Sequence, residues 1–154
     1  MKILDLTAGY RACWFDRNDK RATFVDIRPE VAPDFVANSC DLPAEIQGPF
    51  DLVVFDPPHK NNGAQFGMAR SYGRFSSPEI TELLSGAARE AWRLTHDKSL
   101  MAFKWNDHNR KLESVLKLLQ PYWVPLLCHG ISPQQARSKS YWSLLTRSNA
   151  QKEI

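Results

Sequence analysis

Short apolar runs alternate along this chain with polar connections punctuated by Gly and Pro, and two longer stretches carry helical spacing. Residues 2–6 and 21–27 read as strands, residues 35–37 as a third, short one. Residues 51–55, apolar and rich in β-branched and aromatic side chains, read as a buried fourth strand. Between the first two strands, residues 10–16 have room for a two-turn helix. Ile80, Leu83, Leu84, Ala87, Ala88, Ala91 and Trp92 recur at helical intervals. In front of them Ser77-Pro78-Glu79 supplies a cap, a first-turn proline and a first-turn acid, so the pattern predicts a helix from Ser77 to about Leu94. Residues 100–105 read as a fifth strand and residues 109–119 as a second helix, with Leu112, Val115, Leu116 and Leu119 on one side. Residues 123–129 and 141–146 form a last pair of strands, joined by a basic loop at 130–139.

Strands alternating with helices imply an α/β fold with a mostly parallel sheet, and a last pair joined only by a loop is expected to be antiparallel. Connections after the second and third strands are too short for large helices, so the helical layer is reduced. The expected organisation is one domain over residues 1–147 with a C-terminal tail at 148–154. In contrast to these short connections, residues 59–77 form a long polar, Gly-containing loop, a length that marks a functional or mobile segment.

Composition narrows the class without naming a function. With 154 residues, 43% of them hydrophobic and 24% charged, the chain is long enough to bury a core. A net charge of +3 is compatible with a nucleic-acid partner and too small to argue for one. The three cysteines, Cys13, Cys40 and Cys128, are widely spaced, and the four histidines show no ligand spacing, so no metal is expected. With no long apolar stretch, a cytoplasmic protein away from membranes is expected.

The most specific local chemistry sits at Asp56-Pro57-Pro58-His59, directly after the fourth strand. Two prolines fix φ twice and remove two backbone donors, so neither strand nor helix runs through them. In open α/β sheets ligands bind at the carboxyl ends of the strands, which is where this tetrapeptide lies. Gly9 after the first strand gives a positive φ or a close backbone approach, and Asp26 ends the second strand about 20 residues on, a spacing that suits a ribose. Trp14 and Trp92 fall at apolar positions and read as core.

These features together resemble class I S-adenosylmethionine-dependent methyltransferases, along nearly the whole chain. Leu4-Asp5-Leu6-Thr7-Ala8-Gly9 resembles the family's first motif, although Tyr10-Arg11 stand where further glycines are usual. The resemblance implies S-adenosylmethionine contacts from Asp5, Leu6, Thr7, Ala8 and Gly9. Asp26 and Ile27 match the ribose-binding second motif, Asp41 and Leu42 the third, beside the adenine, and Asp56 borders the cofactor as well. Asp56-Pro57-Pro58-His59 resembles the Asp/Asn-Pro-Pro-aromatic motif of N6-adenine and N4-cytosine methyltransferases, in small phage- or prophage-type members. His59 departs from the usual Tyr, Phe or Trp; an imidazole stacks more weakly and with pH dependence.

An exocyclic amine is a poor nucleophile because its lone pair is delocalised into the ring. Asp56 and the Pro57 carbonyl would accept its two N–H groups and turn the lone pair toward the methyl donor, with the ring at 59 stacked on a flipped base. Lys60, Arg74, Lys104, Trp105, Arg137 and Lys139 are the substrate-side candidates, cations interleaved with aromatic rings that suit a nucleic-acid backbone and unstacked bases. The family implies a seven-stranded sheet with a reversed last strand, and DNA or RNA as substrate. No separate target-recognition domain is visible, so loose sequence specificity or a structured or single-stranded RNA is expected. Two other readings stay open: methylation of a protein amide or small molecule on the same fold, and a non-catalytic accessory subunit. Oligomeric state, whether homodimer or complex with a partner subunit, is not legible.

Overall fold

In the computed structural model, residues 1–58, 77–131 and 138–149 are described. The apolar runs become β1 (Ile3–Asp5), β2 (Ala22–Asp26), β3 (Phe35–Val36) and β4 (Phe50–Phe55). The chain continues through α1 (Ser77–Arg93), β5 (Thr95–Asn106), α2 (Leu112–Leu119), β6 (Trp123–Ile131) and β7 (Ser140–Arg147). One seven-stranded sheet results, in the order β3-β2-β1-β4-β5-β7-β6. β1 to β5 pair in parallel, and β7 inserts antiparallel between β5 and β6. The α/β class, the parallel body and the reversed last strand all follow the sequence reading.

Both helices cover the same sheet face, as right-handed crossovers that step in one direction across a sheet require. Ile80, Leu84, Ala87, Ala88 and Ala91 of α1 and Val115 and Leu119 of α2 are buried against Leu4, Val53, Met101, Phe103, Trp105 and Leu145. Leu42 and Ile46 join that core from the connection between β3 and β4, which has no helix of its own. Gly86 lets α1 lie on this connection: a Cβ there would meet the Cys40 Sγ at 2.8 Å.

Four expectations need correction. Residues 10–16 form turns, not a helix. Gly9 and Arg11 both have positive φ, at 50° and 56°, and a single αL residue already ends helical winding for most side chains. The tight backbone bonds Arg11 N–H to Ala8 O and Trp14 N–H to Arg11 O close successive turns instead. α2 starts at Leu112 rather than 109, because the Asn106 side chain accepts the His108 N–H and the Trp105 indole takes the Arg110 carbonyl. β5 starts at Thr95, five residues before the apolar run. Its polar His96-Asp97-Lys98 segment is a bulge, pinned where Ser99 Oγ bonds both the His96 N–H and the Phe50 carbonyl. Ser148, assigned to the tail by the pattern, is buried, donates its N–H to Tyr122 O and accepts the Trp92 indole N–H.

Candidate functional site

Parallel pairing brings the carboxyl ends of β1, β2, β4 and β5 to one edge, and the reversal of β7 brings its first residues to the same edge. The turn after β1 is bonded to both neighbours: Leu6 N–H donates to Val54 O at 3.0 Å and Ala8 N–H to Val25 O at 2.9 Å. Gly9 N–H then donates to Asp26 Oδ2 at 2.8 Å. Asp56 follows the last residue of β4, and its N–H donates to Thr7 Oγ1 at 3.0 Å. The glycine turn and the Asp-Pro-Pro segment are thus directly bonded.

Around this turn lies a cavity of about 250 Å³ lined by Asp5, Thr7, Ala8, Gly9, Tyr10, Ala12, Cys13, Asp56, Lys104 and Trp142. Lys104 and Trp142 are cross-strand partners on β5 and β7, and Phe55 pairs with Phe103, so Asp56, Lys104 and Trp142 form a file across three strands. Lys104 Nζ lies 2.7 Å from Asp56 Oδ2 and 5.8 Å from the centre of the Trp142 ring. His129 pairs with Trp142 and extends the file onto β6.

Asp5 is buried at the back of the cavity. Its Oδ2 accepts the Trp14 indole N–H at 2.7 Å and its Oδ1 the Thr7 N–H at 3.2 Å. Burial pushes its carboxyl up to about 7; the Trp14 and Thr7 bonds oppose this, and Asp56 and Asp26 add to it. Asp26 shows the reverse outcome. Burial raises it, yet bonds from Arg28 and the Gly9 N–H outweigh that and hold it below the ordinary carboxylate range. Arg28 supplies its backbone N–H and Nε to Oδ1 and its Nη2 to Oδ2. With the Gly9 bond, Asp26 accepts four hydrogen bonds, close to the capacity of a carboxylate.

Of the sequence candidates, Asp5, Thr7, Ala8, Gly9, Asp56 and Lys104 come together in this cavity. Leu6 is buried under the turn, Asp26 is tied to it through Gly9, and Ile27 beside Asp26 is 65% exposed. Asp41 and Leu42 do not line the cavity; the Leu42 N–H donates to Glu90 Oε2. Trp105 is not a substrate-facing ring. It is 1% exposed, stacks on Phe103, and gives its indole N–H to Arg110 O. Lys139 is exposed, with its N–H on Asp107 Oδ1 at 2.7 Å. Pro57 and Pro58 follow Asp56 in irregular structure, while His59, Lys60, Arg74 and Arg137 lie outside the described residues.

The sequence reading missed Arg28 and Trp14 as partners of the two site carboxyls; Tyr10 and Trp142 are the aromatic residues of the cavity lining. A signal for Trp142 was present: a reversed last strand places its first residues at the ligand edge. Among the described residues no group of three or more His, Cys, Asp or Glu is placed to hold a metal ion. No described helix is long and apolar enough to cross a membrane.

No family model and no curated protein matches the chain. Solved structures do. The PH0226 protein of Pyrococcus horikoshii OT3 superposes with a TM-score of 0.65 at 14% identity, over 96% of this chain and 82% of that one. The N-methyltransferase NodS of Bradyrhizobium japonicum WM9, solved with S-adenosyl-L-homocysteine, gives 0.65 at 9% identity over 96% and 78%. An rRNA methylase from Streptococcus thermophilus gives 0.58 at 11% identity over 94% and 85%. The chain has the Rossmann-like methyltransferase fold.

Proposed function

We propose that this protein is an S-adenosylmethionine-dependent methyltransferase acting on an exocyclic amino nitrogen of a nucleobase in DNA or RNA, adenine N6 before cytosine N4. The observation that carries this reading is the direct bond between the glycine turn and the Asp-Pro-Pro segment, Asp56 N–H to Thr7 Oγ1, at the mouth of one cavity. It places a small-residue turn suited to a cofactor beside a carboxylate suited to an amine. An rRNA methylase and an N-methyltransferase among the structural neighbours support it.

The residues present fit S-adenosylmethionine. Asp5 and Asp56 line the cavity beside Gly9, and Asp56 puts a carboxylate there, which suits a ligand bearing positive charge. Ala8 and Gly9 leave the backbone open to close approach. Asp26 would hold the ribose hydroxyls, which requires them to replace the Arg28 guanidinium on its oxygens. When bound, the cofactor supplies an electrophilic methyl group on a positively charged sulfur.

Asp56 and the Pro57 carbonyl accept the two N–H groups of the amine and draw its lone pair out of the ring plane toward the methyl carbon. Proline fixes the backbone at 57 and 58, so these acceptors are set before substrate arrives. Asp56 would also take the proton that the amine gives up on methylation and pass it to water. His59 would stack on the base, and Lys60, Arg74, Arg137 and Lys139 would meet phosphates.

The test is transfer of labelled methyl from S-adenosylmethionine to unmethylated DNA, total RNA and bulk protein in parallel, with mass analysis of the nucleosides. N6-methyladenine or N4-methylcytosine is the expected product. Label confined to protein, or absent from all three despite cofactor binding, overturns the nucleobase reading. The second reading, a small-molecule amine, draws on the neighbouring didemethyltoxoflavin N1-methyltransferase of Burkholderia thailandensis, whose structure holds that small substrate.

A further inference from the structure

Asp56 and Lys104 sit side by side at the cavity as an acceptor and a donor. Lys104 Nζ donates to Asp56 Oδ2 at 2.7 Å, with both side chains largely withdrawn from solvent, at 30% and 21% exposure. Asp56 directly follows Phe55, the last paired residue of β4, and Lys104 follows its partner Phe103 on β5, so the strand register brings the two to one level. The Trp142 ring beyond Lys104 forms a wall on the far side. Among the described residues, the charged and titratable groups facing Asp56 from the packed elements are Lys104 of β5, Asp5 of β1 and Cys13 of the turn segment.

An amine conjugated to a ring nitrogen or a carbonyl presents an N–H donor beside an acceptor, joined through one carbon. A carboxylate beside an ammonium presents the complementary pair, and such charge-assisted two-point contacts fix orientation as well as energy. An alkyl amine, as in a lysine side chain or a polyamine, has no adjacent acceptor and leaves the ammonium facing another cation. Desolvated like charges of that kind are repelled.

Resting on the function proposed above, we propose that Lys104 is the specificity-determining residue of this site: it donates to the acceptor next to the reacting amine while Asp56 accepts the amine N–H. The substrate class is therefore the conjugated amine, of amidine or amide type, and alkyl amines are excluded. Lys104 acts on the base edge in this assignment, not on a phosphate. Donation to Asp56 also fixes which carboxylate oxygen faces the amine, so the same contact orients the acceptor and reads the substrate.

The experiment pairs a protein change with an atomic change in the substrate. Wild type, Lys104→Met and Lys104→Arg are assayed on an oligonucleotide carrying the methylation site found by the labelling experiment. The same oligonucleotide is made with 1-deazaadenine and with 7-deazaadenine, or with 3-deazacytosine where cytosine is the target. These analogues keep the exocyclic amine and remove one acceptor. In the wild type, 1-deazaadenine (or 3-deazacytosine), which lacks the acceptor one carbon from the amine, is expected to lower kcat/KM roughly 10- to 100-fold, the range for a charged hydrogen bond, while 7-deazaadenine serves as the control. Lys104→Met is expected to lose a similar factor on the natural base and to ignore the analogue, while Lys104→Arg keeps part of the discrimination. S-adenosylhomocysteine affinity within twofold of wild type shows that the variants fold.

Wild type acting equally on the natural base and every analogue overturns the assignment and leaves the methyltransferase reading standing, as does a Lys104→Met variant that still discriminates. Wild type transferring no methyl to nucleic acid overturns the nucleobase reading and this assignment with it. The wild-type comparison alone decides the matter if a Lys104 variant fails to bind S-adenosylhomocysteine.

Discussion

The indole N–H of Trp14 donates to the Asp5 carboxylate at 2.7 Å, at the back of the cavity and nine residues along the chain. A buried carboxyl without such a donor loses its compensation for desolvation. Trp14→Phe keeps an aromatic ring beside Phe24, whose ring centre lies 5.1 Å away, and removes the donor together with part of the indole. The expected cost is about 1–3 kcal/mol of stability, read from urea unfolding at neutral pH. A change below a few tenths would show that the bond contributes nothing there.

Asp5 itself makes stability depend on pH. Burial raises its folded-state pKa from the ordinary 3.8 to about 7, so the folded protein binds the extra proton between those values. Stability from this group is therefore fully present below about pH 4, falls as pH rises toward 7, and is constant above. The span is on the order of 4 kcal/mol by linkage. Unfolding of wild type and Asp5→Asn at pH 4.5, 6 and 8 isolates it, since other groups cancel in the difference. The wild type should lose ground against the variant across that series, and a parallel pair of curves would contradict the assignment.

Arg28 and the proposed ribose hydroxyls compete for the same oxygens of Asp26. Asp26→Ala is expected to weaken S-adenosylhomocysteine binding at least about tenfold, through loss of a charge-assisted contact of about 1.4 kcal/mol or more. Arg28→Gln should tighten it severalfold, because the guanidinium no longer has to be displaced. Calorimetric titration of both variants checks this; weaker binding by Arg28→Gln would instead make Arg28 a cofactor contact.

Much of the fold could be read in advance because its signals are local. The β-branched run at Val53-Val54-Phe55, the period of Ile80, Leu84, Ala87 and Ala91, and the prolines after Asp56 each act within a few residues. The errors came from side chains that override local pattern. Arg11 at positive φ ends any helix after Gly9, the Asn106 side chain holds back α2, and Ser99 recruits a polar segment into β5. The residues of the site were legible one stretch at a time, and their pairings were not. Asp56 and Lys104 lie 48 residues apart and meet through strand register, which no spacing rule in the sequence reports. Trp105 and Trp142 illustrate the same limit, since only the sheet decides which ring faces the core and which faces the cavity.

Gly86 offers a test of the packing behind the site. A methyl at this position would normally favour the helix by up to about 1 kcal/mol, yet here it meets Cys40 Sγ at 2.8 Å. Gly86→Ala alone is expected to destabilise by about 1–3 kcal/mol as an overpacked contact. Cys40→Gly removes both close atoms, Sγ at 2.8 Å and Cβ at 2.9 Å, whereas Cys40→Ala keeps the second, so in double-mutant cycles by urea unfolding Gly86→Ala should couple strongly to Cys40→Gly and only weakly to Cys40→Ala.

The reversal of β7 has an evolutionary consequence. Because β7 runs backwards, the stretch entering it at Ser138 and the stretch leaving β4 at Pro58 are both attached at the cavity edge of the sheet. Both stretches lie outside the seven strands of the described sheet, so a change in their sequence alters no residue of that sheet. A sheet so built can be varied at two points of one edge while its paired strands keep their sequence.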